Sequence, residues 1–314
     1  MSTLFTFPGQ GAQRAGLLHA LPDDPLVART LDEAGAALGL DALSLDGEAA
    51  LASTVAVQLA LLVAGVAAAR LFEREAGAPD AVAGLSVGAY PAAVVAGVLG
   101  FGDALKLVRR RGMLMETAWP AGHGMLAILG LGERALAPLI ARVHGADSPV
   151  YLANLNAPTQ LVLAGALEAL DRVADLALAH GATDAKPIAI AVPSHCPLLD
   201  GAAAELARDF EGVALAPPRL RWFSASAARE VRDPARIARD LARNMAVPVR
   251  WHETTVLAAE CGVRLAVEMP PGAVLTKLGT AALPEALCIA ADGTRTDSVA
   301  ALMRRERARD AATG

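Results

Sequence analysis

A serine set between glycines is the first group in this sequence that could perform covalent chemistry. The segment Gly84 to Gly88 reads G-L-S-V-G, and its G-x-S-x-G spacing lets the chain bend sharply enough to hold the hydroxyl of Ser86 clear of its neighbours. A helix that begins at the bend presents its positive end, where a developing anion is stabilised. The pattern predicts a nucleophile, although a tight glycine turn with an N-capping serine accounts for these five residues equally well.

A serine nucleophile needs a base, and the sequence holds six histidines. His195 differs from the others because it follows a predicted strand and a proline turn, where the chain passes between two units, and such a crossing is typical of a cleft wall. We therefore predict that His195 is the base. Cys196 points the other way in an extended chain, so we interpret it as structural. The remaining histidines fit surface, border or helix-start positions: His19, His123, His144, His180 and His252.

Three consecutive arginines, Arg109, Arg110 and Arg111, lie on a predicted helix downstream of the serine turn. Consecutive residues of a helix point about 100° apart, so at most one or two of the three face the interior. A wholly solvated run of charges is the ordinary interpretation, and the spacing alone does not replace it.

The elements that would position these groups alternate between strand and helix. Short strands at 4–7 and 81–84 each end in a glycine-rich turn, which is typical of a mostly parallel sheet with helices between its strands. Helices are predicted at 25–39 and 54–75, after Ser86 to about Leu99, and at 198–211, 234–246 and 250–261. Later strands are predicted at 221–224 and 264–268.

The middle of the chain has a different order of elements. Residues 125–191 read as strand, helix, two strands, helix and strand, which is the order of the ferredoxin-like arrangement. The sequence therefore predicts an α/β fold in which a small subdomain at 124–190 is inserted into a larger one formed by 1–123 and 191–314.

The composition limits the classes of function. With 54% apolar and 19% charged residues in 314, the chain can bury a large core. A net charge of −5 gives no broad basic surface for nucleic acid, and the arginine-rich tail 304–309 is predicted to solvate a frayed C-terminal helix. The apolar stretch 54–69 is too short for a membrane span and contains Gln58, so we predict a buried helix and no membrane partner.

The cysteines and the N-terminus bear on compartment and metal content. Cys196, Cys261 and Cys288 are widely spaced and odd in number, which fits neither a disulfide framework nor a zinc site. The first residues lack a basic segment followed by a long apolar run, so no secretory signal is predicted. A reducing compartment, the cytoplasm, is expected, and no metal site.

Taken together, these segments resemble the malonyl-CoA:acyl carrier protein transacylase family and the related acyltransferase domains of polyketide synthases. The similar motifs run nearly from end to end: Phe7 to Gln13 (FPGQGAQ), Gly84 to Gly88 (GLSVG), Arg111-Gly112, Asn156 to Gln160 (NAPTQ), Val192 to Cys196 (VPSHC), Pro248 to Trp251 (PVRW) and Glu268 to Gly272 (EMPPG). Seven motifs in the family's order argue against a chance match.

The resemblance implies an α/β-hydrolase-like large subdomain with a ferredoxin-like insertion, in agreement with the predicted element order. It implies that Ser86 is the nucleophile and that His195 is the general base and acid, oriented by the backbone carbonyl of Asn244. It also implies that the backbone N–H groups of Gln10 and Val87 form the oxyanion hole. No permanently bound cofactor is implied.

For Arg111 the resemblance implies that the guanidinium binds the free carboxylate of a malonyl group. A planar guanidinium can hold a carboxylate through two parallel hydrogen bonds, which a lysine cannot do. Malonyl-CoA is then the implied substrate, and the phosphopantetheine-type thiol of an acyl carrier protein is the implied acceptor.

The serine turn departs from the usual family pattern. Leu85 replaces a histidine, Ala89 replaces an acid, and the family more often has Gln at the position of Asn244. The turn variant and the opening Thr6 to Arg14 resemble the epsilon subunit of bacterial malonate decarboxylase. This resemblance implies that the malonyl group is loaded onto the carrier subunit of that complex, whose other subunits are then candidate partners.

Two other functions stay open at this point. A transacylase of fatty-acid synthesis would use the same residues with a different carrier. A serine thioesterase or hydrolase would share the serine, the histidine and the oxyanion hole, and would differ in admitting water. A catalytically silent docking subunit is disfavoured because Ser86, His195 and Arg111 are all present.

Overall fold

A large, mostly parallel sheet forms the centre of the computed structural model, which describes residues 2–119, 121–190 and 192–313. Its strands, numbered along the chain, run in the order β10-β9-β1-β2-β7-β8, and only β8 is antiparallel to its neighbour. These strands are β1 (Thr3–Phe7), β2 (Ala81–Gly84), β7 (Arg221–Ser224), β8 (Arg229–Val231), β9 (Leu265–Glu268) and β10 (Leu287–Ala290). Strands β1, β2 and β9 are buried at every position, and most of their residues are therefore apolar.

A second sheet of four antiparallel strands, in the order β4-β5-β3-β6, has two helices and its own apolar core. Its elements are β3 (His123–Leu129), α5 (Glu133–Val143), β4 (Val150–Ala157), β5 (Gln160–Ala166), α6 (Leu167–Ala179) and β6 (Asp184–Ile188). The predicted fold class is confirmed: an α/β protein with a mostly parallel sheet and a ferredoxin-like βαββαβ unit.

Nine helices are described around the large sheet: α1 (Pro25–Leu38), α2 (Thr54–Ala76), α3 (Ala89–Val95), α4 (Phe101–Ala118), α7 (Asp200–Asp209), α8 (Pro234–Arg243), α9 (Trp251–Glu260), α10 (Val274–Ala282) and α11 (Thr296–Thr313). By length and composition alone, helix α2 could cross a membrane, but 89% of its most apolar 18-residue stretch is buried inside the molecule. It is the buried core helix that the sequence predicts.

Helices α2 and α4 approach each other closely, and this contact positions the site. A Cβ atom on Gly112 would lie 2.8 Å from the Cα of Val55, so a larger residue at 112 would push the two helices apart. The glycine lets the backbones meet and brings Arg111 of α4 against the buried polar residue Gln58 of α2.

Several predicted element bounds differ from the structure. The helix after Ser86 ends at Val95 instead of Leu99, because Gly97 has a φ of 76° that ends the helical path. The helix predicted at 234–246 ends at Arg243 and continues as a tight 3-10 turn, Asn244–Ala246. Of the strand predicted at 186–191, residues 186–188 belong to β6, and Ala191 lies outside the described residues. The division of the chain at 124 and 190 stays a prediction.

The C-terminal tail agrees only in part with the prediction of a frayed, solvated helix: its four arginines are exposed, but the helix is continuous to Thr313. Helix α11 packs against α2, and two arginines of the tail donate to backbone carbonyls that follow or end α2: Arg304 to Glu75 O at 2.9 Å and Arg307 to Ala78 O at 2.6 Å. Glu306, only 3% exposed, also accepts hydrogen bonds from Arg264 and Arg309. Arg304 and Arg307 have partners in the fold because free carbonyls at a helix end attract cations.

Candidate active site

Ser86 occupies a sharp turn between β2 and α3. Its φ of 57° is in the left-handed region, which a non-glycine residue rarely adopts. A Cβ on Gly84 would overlap the backbone of Gly88, and a Cβ on Gly88 would overlap the carbonyl of Phe7. Only glycine fits at either position, so the two glycines permit the turn that presents the serine hydroxyl.

The loop after β1 lies beside this turn because β1 and β2 are adjacent parallel strands, with Phe7 opposite Gly84. Parallel neighbours end at the same edge of a sheet, which is where ligands of open α/β sheets bind. Gln10 follows β1 and lines the same cavity as Ser86, and Val87 is the residue after the serine in the first turn of the helical segment. The structure therefore places both predicted oxyanion donors next to Ser86.

His195 is held against Ser86 by backbone contacts on its far side. Its Nδ1 lies 2.6 Å from the carbonyl oxygen of Asn244, and its Nε2 lies 2.8 Å from Oγ of Ser86. Because a carbonyl can only accept, Nδ1 carries the proton, which leaves Nε2 to accept from the serine hydroxyl. The backbone N–H of His195 donates to Met245 O at 2.6 Å, and the residue has a φ of 64°. The 3-10 turn after α8 thus fixes the imidazole.

Arg111 is fully buried and lies directly behind the serine. Its Nη1 donates to Gln58 Oε1 at 2.7 Å, and its Nη2 donates to Ser86 Oγ and Asn244 Oδ1, each at 3.2 Å. All three acceptors are neutral, and no described residue offers the guanidinium a carboxylate. Burial lowers the pKa of Arg111 to about 10, so it remains a cation at neutral pH. A buried cation without a counter-ion favours an anionic ligand.

The other two arginines of the run point away from the site. Arg109 donates to Leu38 O, and Arg110 pairs with Glu205 and Asp209 at the surface. Only Arg111 of the three is therefore buried, which agrees with the prediction that at most one or two of them face the interior.

Two residues make contacts in the site that the sequence analysis does not anticipate. Gln58 is interpreted there only as a polar interruption of an apolar helix, yet its amide oxygen holds Arg111 and its Nε2 contacts Met115 Sδ at 3.4 Å. Asn244 uses its side chain as well as its carbonyl, because Nδ2 donates to Ser86 O at 3.2 Å. A lone amide in a buried helix was the available signal, since a buried polar group needs a partner.

A cavity of about 190 Å³ opens in front of the serine and the histidine. One side of its wall is formed by the loop after β1, the serine turn and residues of α4 and α10, and the other side by strands of the small sheet, so the ferredoxin-like unit closes one side of the site. Apolar side chains predominate: Leu85, Met115, Met125, Val162, Ile188, Ile190 and Leu275. An apolar wall strengthens electrostatic contacts inside the cavity and disfavours bulk water.

The remaining candidates lie apart from this arrangement. Cys196 is buried, its thiol donates to Pro193 O, and burial raises its pKa to about 12, so it is a poor nucleophile. None of the other five histidines contacts Ser86 or lines the cavity in the described chain. The described residues hold no group of three or more His, Cys, Asp or Glu side chains arranged to bind a metal.

The chain is similar to known proteins over most of its length. The family described as "acyl transferase domain" matches residues 4–313. The malonyl CoA-acyl carrier protein transacylase of Haemophilus influenzae is 39% identical over 279 residues, which cover 87% of this chain and 89% of that protein.

Two solved structures show the same fold over nearly the whole chain. The malonyl CoA-acyl carrier protein transacylase of Coxiella burnetii has a TM-score of 0.91 at 34% identity and covers 97% of this chain and 98% of its own. A malonyl-transacylase solved in complex with its type II polyketide synthase acyl-carrier protein has a TM-score of 0.90 at 35% identity, covering 97% and 100%.

Proposed function

The chain belongs to the acyl transferase family and is an acyltransferase of the malonyl-CoA:acyl carrier protein transacylase type, and from this premise we propose how its residues divide the reaction. Ser86 accepts a malonyl group from malonyl-CoA and passes it to the thiol of a carrier protein. The observation that supports the malonyl group is the buried, uncompensated guanidinium of Arg111, 3.2 Å from the serine hydroxyl.

The first half of the reaction forms an acyl-serine. His195 Nε2 takes the hydroxyl proton as Ser86 Oγ attacks the thioester carbonyl carbon, and the backbone N–H groups of Gln10 and Val87 stabilise the resulting oxyanion. The C–S bond breaks, and His195 returns the proton to the sulfur of CoA. The malonyl carboxylate replaces the contacts that Arg111 makes with Ser86 and Asn244 in the free enzyme.

The second half runs the same steps with a different thiol. The carrier thiol gives its proton to His195 and attacks the acyl-serine carbonyl carbon, the C–O bond to Ser86 breaks, and the serine oxygen recovers a proton from His195. One imidazole serves both halves because its Nδ1–H stays bonded to a neutral carbonyl, that of Asn244.

The pH dependence of acylation tests the role of the imidazole. Burial, and next the charge of Arg111, lower the pKa of His195 from 6.5 to about 4. The neutral form is the base, so activity is lost only as pH falls through this lowered pKa. We expect the single-turnover acylation rate to stay nearly constant from pH 8 to about 5 and to fall about tenfold per unit below pH 4. Rapid-quench measurement with malonyl-CoA checks this.

As a control for the pH profile, circular dichroism at each pH checks that the protein remains folded. A midpoint near 6.5 in a folded protein contradicts the assignment, because it is the value of an imidazole without these neighbours.

For the physiological acceptor we propose the carrier subunit of malonate decarboxylase, with other subunits of that complex as partners. The support is the serine turn, where Leu85 and Ala89 replace the usual histidine and acid, together with the opening segment Thr6 to Arg14. Transacylation in fatty-acid synthesis is the second candidate, favoured by relatives that are named malonyl CoA-acyl carrier protein transacylase. A cytoplasmic location belongs to both proposals.

Paired kinetics with two carriers separate these candidates. We expect a higher kcat/KM for a malonate decarboxylase carrier than for a fatty-acid acyl carrier protein, measured by mass spectrometry of the malonylated carrier. Preference for the fatty-acid carrier assigns the chain to the second candidate.

Incubation with malonyl-CoA alone is the control that separates transfer from hydrolysis. A transferase releases one equivalent of CoA and keeps a stable malonyl-enzyme, as the apolar cavity wall favours. Steady CoA release without a carrier identifies a thioesterase.

A further inference from the structure

Two asparagine side chains of β4 face the cavity with an unused hydrogen-bond acceptor each. Asn154 and Asn156 both line the cavity in front of Ser86. Their Oδ1 atoms are buried and have no hydrogen-bond partner among the described residues. Neither oxygen takes part in the contacts that hold Ser86, His195 or Arg111.

Both side chains reach the cavity from an irregular part of β4. The register of β4 with β5 shifts between Leu152 and Asn154 and again between Leu155 and Ala157, and both asparagines line the same cavity. Asn154 also forms a parallel bridge with Val249, and Leu155 N donates to Val249 O at 2.8 Å, so this strand is tied to the segment that follows Asn244. The pair is therefore held in a fixed position relative to His195.

Unpaired buried acceptors are rare in folded proteins and are satisfied when a donor binds. Two such oxygens close together on one cavity wall fit a ligand that carries two N–H donors one after the other along its chain. The arm that bears the thiol in CoA and in carrier proteins has this form: it is a flexible chain with two amide groups separated by a short two-carbon spacer. An apolar wall with two amide acceptors accommodates its alternating methylene and amide groups.

We propose that Asn154 and Asn156 form a subsite for the two amide N–H groups of the pantetheine arm. The proposal rests on the proposed function, since that supplies the arm. Asn154, only 6% exposed, receives the amide nearer the sulfur, and the partly exposed Asn156 receives the outer amide. Because CoA and carriers share this arm, the subsite acts in both halves of the reaction and does not distinguish one carrier from another.

A series of malonyl thioesters tests the subsite one amide at a time. Malonyl-pantetheine has both amides, malonyl-N-acetylcysteamine has only the one near the sulfur, and the malonyl thioester of ethanethiol has none. We measure kcat/KM for acylation of Ser86 with each donor in Asn154→Ala, Asn156→Ala and the wild type. Gln160→Ala is the matched control, because Gln160 lies on the same hairpin but does not line the cavity.

The expected losses follow the number of amides. Asn154→Ala should lower kcat/KM about fivefold to tenfold for the pantetheine and N-acetylcysteamine donors, the loss of one neutral hydrogen bond. Asn156→Ala should lower it to a similar extent for the pantetheine donor only. Both variants should remain within twofold of the wild type on the ethanethiol donor, and Gln160→Ala should remain so on all three.

Three results contradict the proposal, the first two by removing the subsite and the third by reversing which asparagine receives which amide. Equal losses on all three donors mean that the asparagines support the fold, unchanged values on all donors mean that the arm binds elsewhere, and a loss for Asn154→Ala confined to the pantetheine donor reverses the assigned order. Failure of the proposed function looks different, since the wild type then forms no malonyl adduct with any donor.

Discussion

Replacing Ser86 with alanine is expected to abolish the malonyl adduct completely. The hydroxyl oxygen accepts from Arg111 and also lies 2.8 Å from Nε2 of His195, so the base and the cation both contact the nucleophilic atom. When catalytic groups act as a unit, removing one of them abolishes nearly all of the rate enhancement. Intact-protein mass spectrometry after incubation with malonyl-CoA should show no mass increment on Ser86→Ala.

A second serine supplies the control for this experiment. Ser194 lines the same cavity, but its hydroxyl donates to Val192 O. Ser194→Ala should therefore keep the full malonyl increment. An undiminished increment on Ser86→Ala would remove Ser86 as the nucleophile and leave the glycine turn as a structural cap.

The sequence alone was sufficient to predict the backbone elements that position the site. The glycines at 84 and 88 predict a turn that only glycine permits, and alternation of strand and helix predicts parallel strands whose ends meet. The βαββαβ order of the inserted unit was visible for the same reason, since each of its elements is long enough to show its own period.

What the sequence could not supply were contacts between distant side chains. Gln58 reads as a flaw in an apolar helix until the close approach of α2 and α4 places it against Arg111, 53 positions away. The contacts of Arg304 and Arg307 could not be predicted because their acceptors are backbone carbonyls near the end of α2, which carry no sequence signal. The strands β8 and β10 were not predicted: β8 has only three residues, and β10 lies at the edge of the sheet, where its residues are exposed or only partly buried.

For the site residues, the sequence predicted some features, and others became apparent only in the structure. His195 stands out from its position at a crossing of the chain, and its side chain does face Ser86. For Arg111, helical spacing indicates that at most one or two of the three arginines face the interior, but it does not say which. The packing of α4 selects Arg111, which is completely buried, while Arg109 and Arg110 bond to groups outside the site.

Arg111→Ala should separate malonyl from acetyl transfer more sharply than any other change in the site. Loss of one partner from a buried, hydrogen-bonded charge pair costs about 2–5 kcal/mol, and an acetyl group never forms that pair. The kcat/KM for malonyl-CoA should fall roughly thirty-fold to several thousand-fold, at about tenfold per 1.4 kcal/mol. Acetyl-CoA turnover should hold steady or rise, because the free enzyme no longer keeps an uncompensated cation beside the serine.

Two neighbours on the same helix provide matched controls, since both are arginines with partners outside the site. Arg109→Ala removes a bond to Leu38 O, and Arg110→Ala removes surface ion pairs that are worth little in water. Either variant should change the rate with both substrates only slightly. If Arg111→Ala instead lowers malonyl and acetyl transfer equally, the guanidinium supports Ser86 and Asn244 without binding a carboxylate. The choice of a malonyl group would then need another cause.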